Sequence, residues 1–123
     1  MRNKLILGAF LVAAPLSGAD AMSIAAFLQK ADALEKKGMM ALFSSDYKTL
    51  KAEVQTGSAQ LRAERLAAAK AGRKPGYCPT AAKGGVEVKE LLAHFRAIPP
   101  QQRARTEVKD GLRSLLARKY PCR

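Results

Sequence analysis

Histidine, cysteine, acidic side chains and aromatic rings are all scarce in this chain, and each scarcity removes a class of function. There is one histidine, His94, and the two cysteines show no CxxC spacing, so a metal site lacks its usual ligands. Acidic side chains number 10 against 22 basic ones. The carboxylates at Glu87 and Glu90 are spaced i, i+3 beside Lys89 and Arg96, where surface pairing explains them better than acid/base work. GxSxG, HExxH and phosphate-loop signatures are absent, and Lys83-Gly84-Gly85 reads as a turn before a helix. No enzymatic activity, metal or cofactor is therefore expected. Three tyrosines and four phenylalanines, mostly within apolar stripes, leave little for base stacking, which argues against specific nucleic-acid recognition.

Long apolar runs are missing too. The longest, Leu5 to Leu16, is well short of the roughly 20 residues a helix needs to cross a bilayer. It follows Arg2 and Lys4 and precedes Ala19-Asp20-Ala21, the order of a cleaved secretory signal peptide over residues 1–21. A bacterial style of signal with no lipobox cysteine points to the periplasm or the medium. Cleavage before Met22 leaves 102 of the 123 residues as one domain, with no membrane span. Without Arg2, Lys4 and Asp20 the counts fall to 20 basic and 9 acidic, a net charge of +11. Such an excess suits an acidic partner or surface and also keeps a protein soluble.

Two cysteines in an exported chain pair by default, so Cys78 and Cys122 are expected to form one disulfide. In the chain-entropy model, closing a loop of this size stabilises by about 4 kcal/mol, a large share for a small domain. The competing reading makes Cys78 a nucleophile activated by His94. Nothing in the sequence marks a third group to orient the imidazole, and the staple is preferred.

What is present is helical periodicity. Ser23 caps a helix whose Ile24, Phe27, Leu28, Ala31 and Leu34 share one face, with Gly38 at its end. The apolar connector "MMALF" follows, its methionines and Phe43 read as core or connector residues, with Met39-Met40 an alternative exposed contact. Ser44 to Asp46 cap one long helix to about Ala71, with Tyr47, Leu50, Val54, Leu61 and Ala68 inward and Gly57 a weak point. Its outer face carries Lys48, Lys51, Glu53, Arg62, Glu64, Arg65 and Lys70. Residues 73–86 form a glycine- and proline-rich loop. Val88, Leu91, Leu92 and Phe95 define a short helix closed by Pro99-Pro100. A last helix runs from about Gln101, with Ala104, Val108, Leu112, Leu115 and Leu116 inward, and stops at Pro121. No alternating apolar run suggests a sheet. The expectation is an all-α bundle of four to five helices with one disulfide, divided into N-terminal helices (22–72), the loop, and a C-terminal helical pair (87–123).

The C-terminal half carries a resemblance. "YCP", a short helix with "ELLAHFRAIPPQQR" and a helix ending "LLARKYPC" are similar to the Rap/Tai family of small periplasmic immunity proteins. In that family a Cys-Pro and a terminal aromatic-Pro-Cys bracket a helical pair. The match spans about 45 of the 102 residues, and the extra cysteine and Gly-aromatic-x-Gly stretch usual in the N-terminal half are not found. The resemblance implies an α-helical protein with a Cys78–Cys122 disulfide and no catalytic residues. It implies further that the protein neutralises a type VI secreted peptidoglycan amidase by binding it in the periplasm.

Two non-enzymatic readings follow: an immunity-type protein binder, or a basic protein that binds the envelope or polyanions. A homodimer would suit so small a core, although no residue pattern demands it. The loop is the expected partner-binding site, because its anchor at Cys78 limits the entropy lost on binding, Tyr77 supplies an amphipathic aromatic, and Arg73, Lys74 and Lys83 attract acidic partners.

Overall fold

A computed structural model of the chain describes residues 21–123, so the signal peptide expected over residues 1–21 lies, apart from Ala21, outside the described residues. Five α-helices follow one another: α1 (Ile24–Lys37), α2 (Ser45–Lys70), α3 (Val88–Ala97), α4 (Pro100–Arg103) and α5 (Val108–Lys119). Short 3-10 segments, Gly38–Phe43 and Ala81–Lys83, lie before α2 and before α3. Among the described residues no strand forms, so the all-α expectation holds.

Local chemistry sets the first two helices. The Ser23 hydroxyl accepts from the Ala26 amide at 3.1 Å, and Gly38 ends α1 with φ of 57°, a conformation that favours glycine. Ser44 caps α2 through the Asp46 amide at 3.1 Å, and the Asp46 carboxylate sits favourably in the first turn and pairs with Lys30. All five predicted α1 stripe residues are buried. One core unites them with Leu50 and Leu61 of α2, Tyr77, Leu91 and Phe95 of α3, Val108, Leu112 and Leu115 of α5, and Tyr120. At its centre the Phe27 and Phe95 rings meet edge to face, 5.2 Å between centroids.

Helix α2 is unbroken over 26 residues, as expected, but Gly57 is not a weak point in it. Its α-carbon is where α5 crosses, and a β-carbon there would lie 2.9 Å from Leu112 Cδ1. Gly111 does the same for α1 and α3, since a β-carbon would lie 2.7 Å from Ile24 Cδ1 and 2.8 Å from Phe95 Cε1.

The sequence-based expectation fails in four places, the first being Tyr47, expected inward on α2 but exposed at its first turn. The helix expected from Gln101 to Pro121 is two helices, because Ser23 and Glu107 form a short antiparallel bridge flanked by hydrogen bonds between Met22 and Ile24 on one side and Thr106 and Val108 on the other. The Ile24 amide donates to Thr106 O at 2.8 Å and the Val108 amide to Met22 O at 2.9 Å. This tertiary pairing holds Glu107 extended and leaves Ala104 exposed. Val88, one of the four apolar residues whose spacing defines α3, is 71% exposed at its first turn and does not share the buried face of Leu91 and Phe95. The "MMALF" stretch is a 3-10 connector whose Met39 and Phe43 are 82% and 80% exposed, so the core reading of these side chains fails and the connector and exposed-contact readings stand.

Candidate functional site

The loop 73–86 is fastened to the tail that follows α5. Cys78 and Cys122 form the disulfide, and the Cys78 amide donates to Tyr120 O at 2.7 Å. The Tyr120 hydroxyl donates to Gly84 O, Lys83 Nζ to Lys119 O at 2.9 Å, and Lys119 Nζ to Gly85 O at 2.8 Å. Lys119 also donates to Glu90 Oε2 at 2.7 Å; this bond holds the Glu90 carboxyl below its usual range and raises the Lys119 ammonium.

This fastening scatters the four candidate residues of the loop. Tyr77 is 7% exposed and belongs to the core, with the Arg65 guanidinium 5.4 Å above its ring. It is therefore not the exposed aromatic anchor expected from sequence. Lys83 spends its ammonium on the tail carbonyl. Arg73 and Lys74 are exposed and form no ion pair among the described residues. Arg73 borders a cavity of about 440 Å³ beside Leu61 and Arg65. The loop thus presents cations but no aromatic, and it does not form the combined face that was expected.

The disulfide occupies Cys78, so it is not paired with His94. The histidine Nε2 lies 2.7 Å from Ser114 Oγ, whose own hydroxyl donates to Gly111 O at 2.9 Å. The serine proton is therefore directed at backbone, and Nε2 donates to the hydroxyl oxygen; an aligned nucleophile and base would need the opposite arrangement. Burial, with a smaller contribution from the Arg118 charge, pushes the imidazole below its ordinary value. Among the described residues no group of three or more His, Cys, Asp and Glu side chains is placed to hold a metal ion. No described helix is long and apolar enough to cross a membrane.

A different feature stands out. A groove of about 810 Å³ runs along α2, walled opposite by α1, α3 and the end of α5. Its floor is apolar, with Leu34, Leu50, Leu91, Leu92 and Leu116 among the side chains. Along α2 the stripe Tyr47, Lys51, Val54, Ser58, Arg62 and Arg65 borders it at helical spacing. Lys51, Arg62 and Arg65 form no ion pair among the described residues, and Arg65 Nε is buried with no hydrogen-bond partner. The carboxylate of Glu35, also on the groove, is taken by Arg96 at 2.8 Å. At one end Ala41 and Leu42 lead out to the exposed Met39, Met40 and Phe43, flanked in sequence by the exposed Lys36, Lys37 and Lys48. The sequence offered Met39-Met40 as an exposed contact beside the core reading, and six residues are too few for periodicity to show which face is buried. No protein-family model, curated protein or solved structure matches the chain.

Proposed function

We propose that this is an exported, disulfide-stapled protein that binds and neutralises a protein partner in the periplasm, as an immunity-type inhibitor of a secreted peptidoglycan amidase. The observation that carries the reading is the apolar tip. Contiguous exposed methionine and phenylalanine side chains on a soluble chain mark an interaction surface, and methionine adapts to the shape of a partner. The frame behind the tip is rigid, with helical caps and a covalent staple, so little order remains to be gained on binding. A disulfide is compatible with the oxidising periplasm. The C-terminal resemblance supplies the class of partner.

The alternative, a basic protein bound to envelope polyanions, draws on the unpaired lysines at the same tip. High salt separates the two, because polyanion binding weakens steeply with salt and a packed protein interface persists. The experiment mixes the purified chain with a type VI secreted peptidoglycan amidase at high salt and follows both complex formation by gel filtration and amidase activity. Stoichiometric inhibition that is lost on Phe43→Asp, at unchanged melting temperature, is the expected result. Retention of full amidase activity with no complex formed overturns it.

A further inference from the structure

We infer that the groove along α2 is a binding site for a single-chain anionic amphiphile, a long-chain carboxylate, with its head between Arg62 and Arg65 and its chain lying toward Leu34 and Leu42. This assignment stands on the groove alone and does not depend on the amidase reading.

Shape and lining come first. A volume of about 810 Å³ falls within the range of small-molecule sites, roughly 300–1,000 Å³, which are apolar with a few placed polar groups. Tyr47 to Arg65 spans 18 residues of α2, about 27 Å at the helical rise, so the trough is long and narrow rather than round. The helices that wall it satisfy their own backbone groups, so the floor offers an occupant few hydrogen bonds. An acyl chain, which needs none, suits such a floor.

Charge then selects the occupant. Arg62 and Arg65 stand one turn apart at the end nearest Tyr77, with no carboxylate paired to either among the described residues. Arg65 also borders the smaller cavity beside Leu61, so of the two Arg62 is the more exposed donor to the groove. Guanidinium groups suit bidentate recognition of a carboxylate. With Glu35 already neutralised by Arg96, the net charge on the groove is positive. A second copy of this chain is disfavoured as occupant, since it would bring Lys36, Lys37 and Lys48 of its own tip against Lys51, Arg62 and Arg65. The exposed apolar tip at the opposite end gives a chain an apolar path into the groove.

Titration calorimetry with hexadecanoate below its aggregation concentration tests this. The expected result is saturable binding of one molecule per chain, weakening about fourfold for each methylene removed in tetradecanoate and dodecanoate. Hexadecanol, with the same chain and no charge, should bind at least tenfold more weakly, and Arg62→Gln should cost about tenfold or more. Ser58→Trp places a large side chain at an exposed position on the groove wall and should abolish binding while the circular dichroism spectrum stays unchanged. The wild-type chain-length series decides even if a variant fails to fold. Binding indifferent to chain length and removed by salt would reduce the site to surface charge and overturn the inference. Capture by anionic vesicles without hexadecanoate binding would move the ligand to a membrane surface, and binding of an acidic amphipathic peptide in its place would move it to a protein. Either outcome overturns the assignment.

Discussion

Gly111 and Gly57 are both interior helix glycines, and the same substitution should affect them differently. Alanine gains about 1 kcal/mol of helix propensity over glycine at either site. At Gly111 the new methyl meets Ile24 and Phe95, both with no exposed surface and neither on the groove, so neither can move aside. Gly111→Ala should therefore destabilise by about 1–3 kcal/mol net, read as a drop in melting temperature of roughly 4–8 °C per kcal/mol. At Gly57 the clash is with the tip of Leu112, which borders the groove and has space to swing into. Gly57→Ala should stay within about 1 kcal/mol of the native chain. Equal losses at the two sites would show that the groove gives Leu112 no room. His94 supplies a pH test at the same scale. Burial holds its folded-state value below the ordinary imidazole value of about 6.5. Between those two values the unfolded chain binds more protons than the folded one, so stability falls as pH is lowered through that window. His94→Gln keeps a donor for Ser114 and cannot titrate, so its melting temperature should be flat there. Glu64, lowered first by its bonds to Lys109 and Arg113, contributes its own loss only at lower pH, as the carboxylate protonates below its ordinary 4.5.

Among the elements, the tail after α5 and the loop 73–86 behave as one unit held by the Cys78–Cys122 bond and at least four hydrogen bonds. A sequence separation of 44 makes the cross-link worth about 4 kcal/mol in the chain-entropy model. Cys78→Ser with Cys122→Ser should lower denaturant stability by about that amount. A loss below about 1 kcal/mol would show that the hydrogen bonds alone hold the unit. Helices α1 and α2 were legible in the sequence because their caps, glycine terminus and apolar stripes are local signals. The disulfide was legible from the number of cysteines and the expectation that the chain is exported. What failed was set by distant residues. The gap between α4 and α5 exists because Met22 and Ile24 pair with Thr106 and Val108, more than 80 positions away in the chain. Tyr77 reads as an exposed loop aromatic until the tail, tied through Cys122, folds it against Arg65. The groove was invisible for the same reason, since it is shared by helices distant in sequence; Lys51, Arg62 and Arg65 were legible on one long helix but assigned to its outer face, whereas they border the groove.

At the scale of the whole molecule, charge is distributed unevenly. Acidic side chains are few, and Glu35, Glu64, Glu90, Asp32, Asp46 and Asp110 are already paired with Lys30, Arg96, Lys109, Arg113 or Lys119. Lys36, Lys37 and Lys48 around the apolar tip are left without such partners among the described residues. On the protein-binding reading, these two properties of the tip act at different stages of association. Exposed cations steer an acidic partner during encounter and are screened by salt, whereas apolar side chains act after contact by excluding water. Changing Lys36, Lys37 and Lys48 together to glutamate should slow association with the amidase partner roughly tenfold or more at low salt and leave dissociation nearly unchanged. Phe43→Asp should do the reverse, raising the dissociation rate with little effect on association. Neither change touches the core, so melting temperatures should remain within about 0.5 kcal/mol of the native chain in equivalent stability. Surface plasmon resonance resolves the two rates. If Phe43→Asp leaves dissociation unchanged, the apolar tip is not the contact, and the interface must be sought on another face of the bundle.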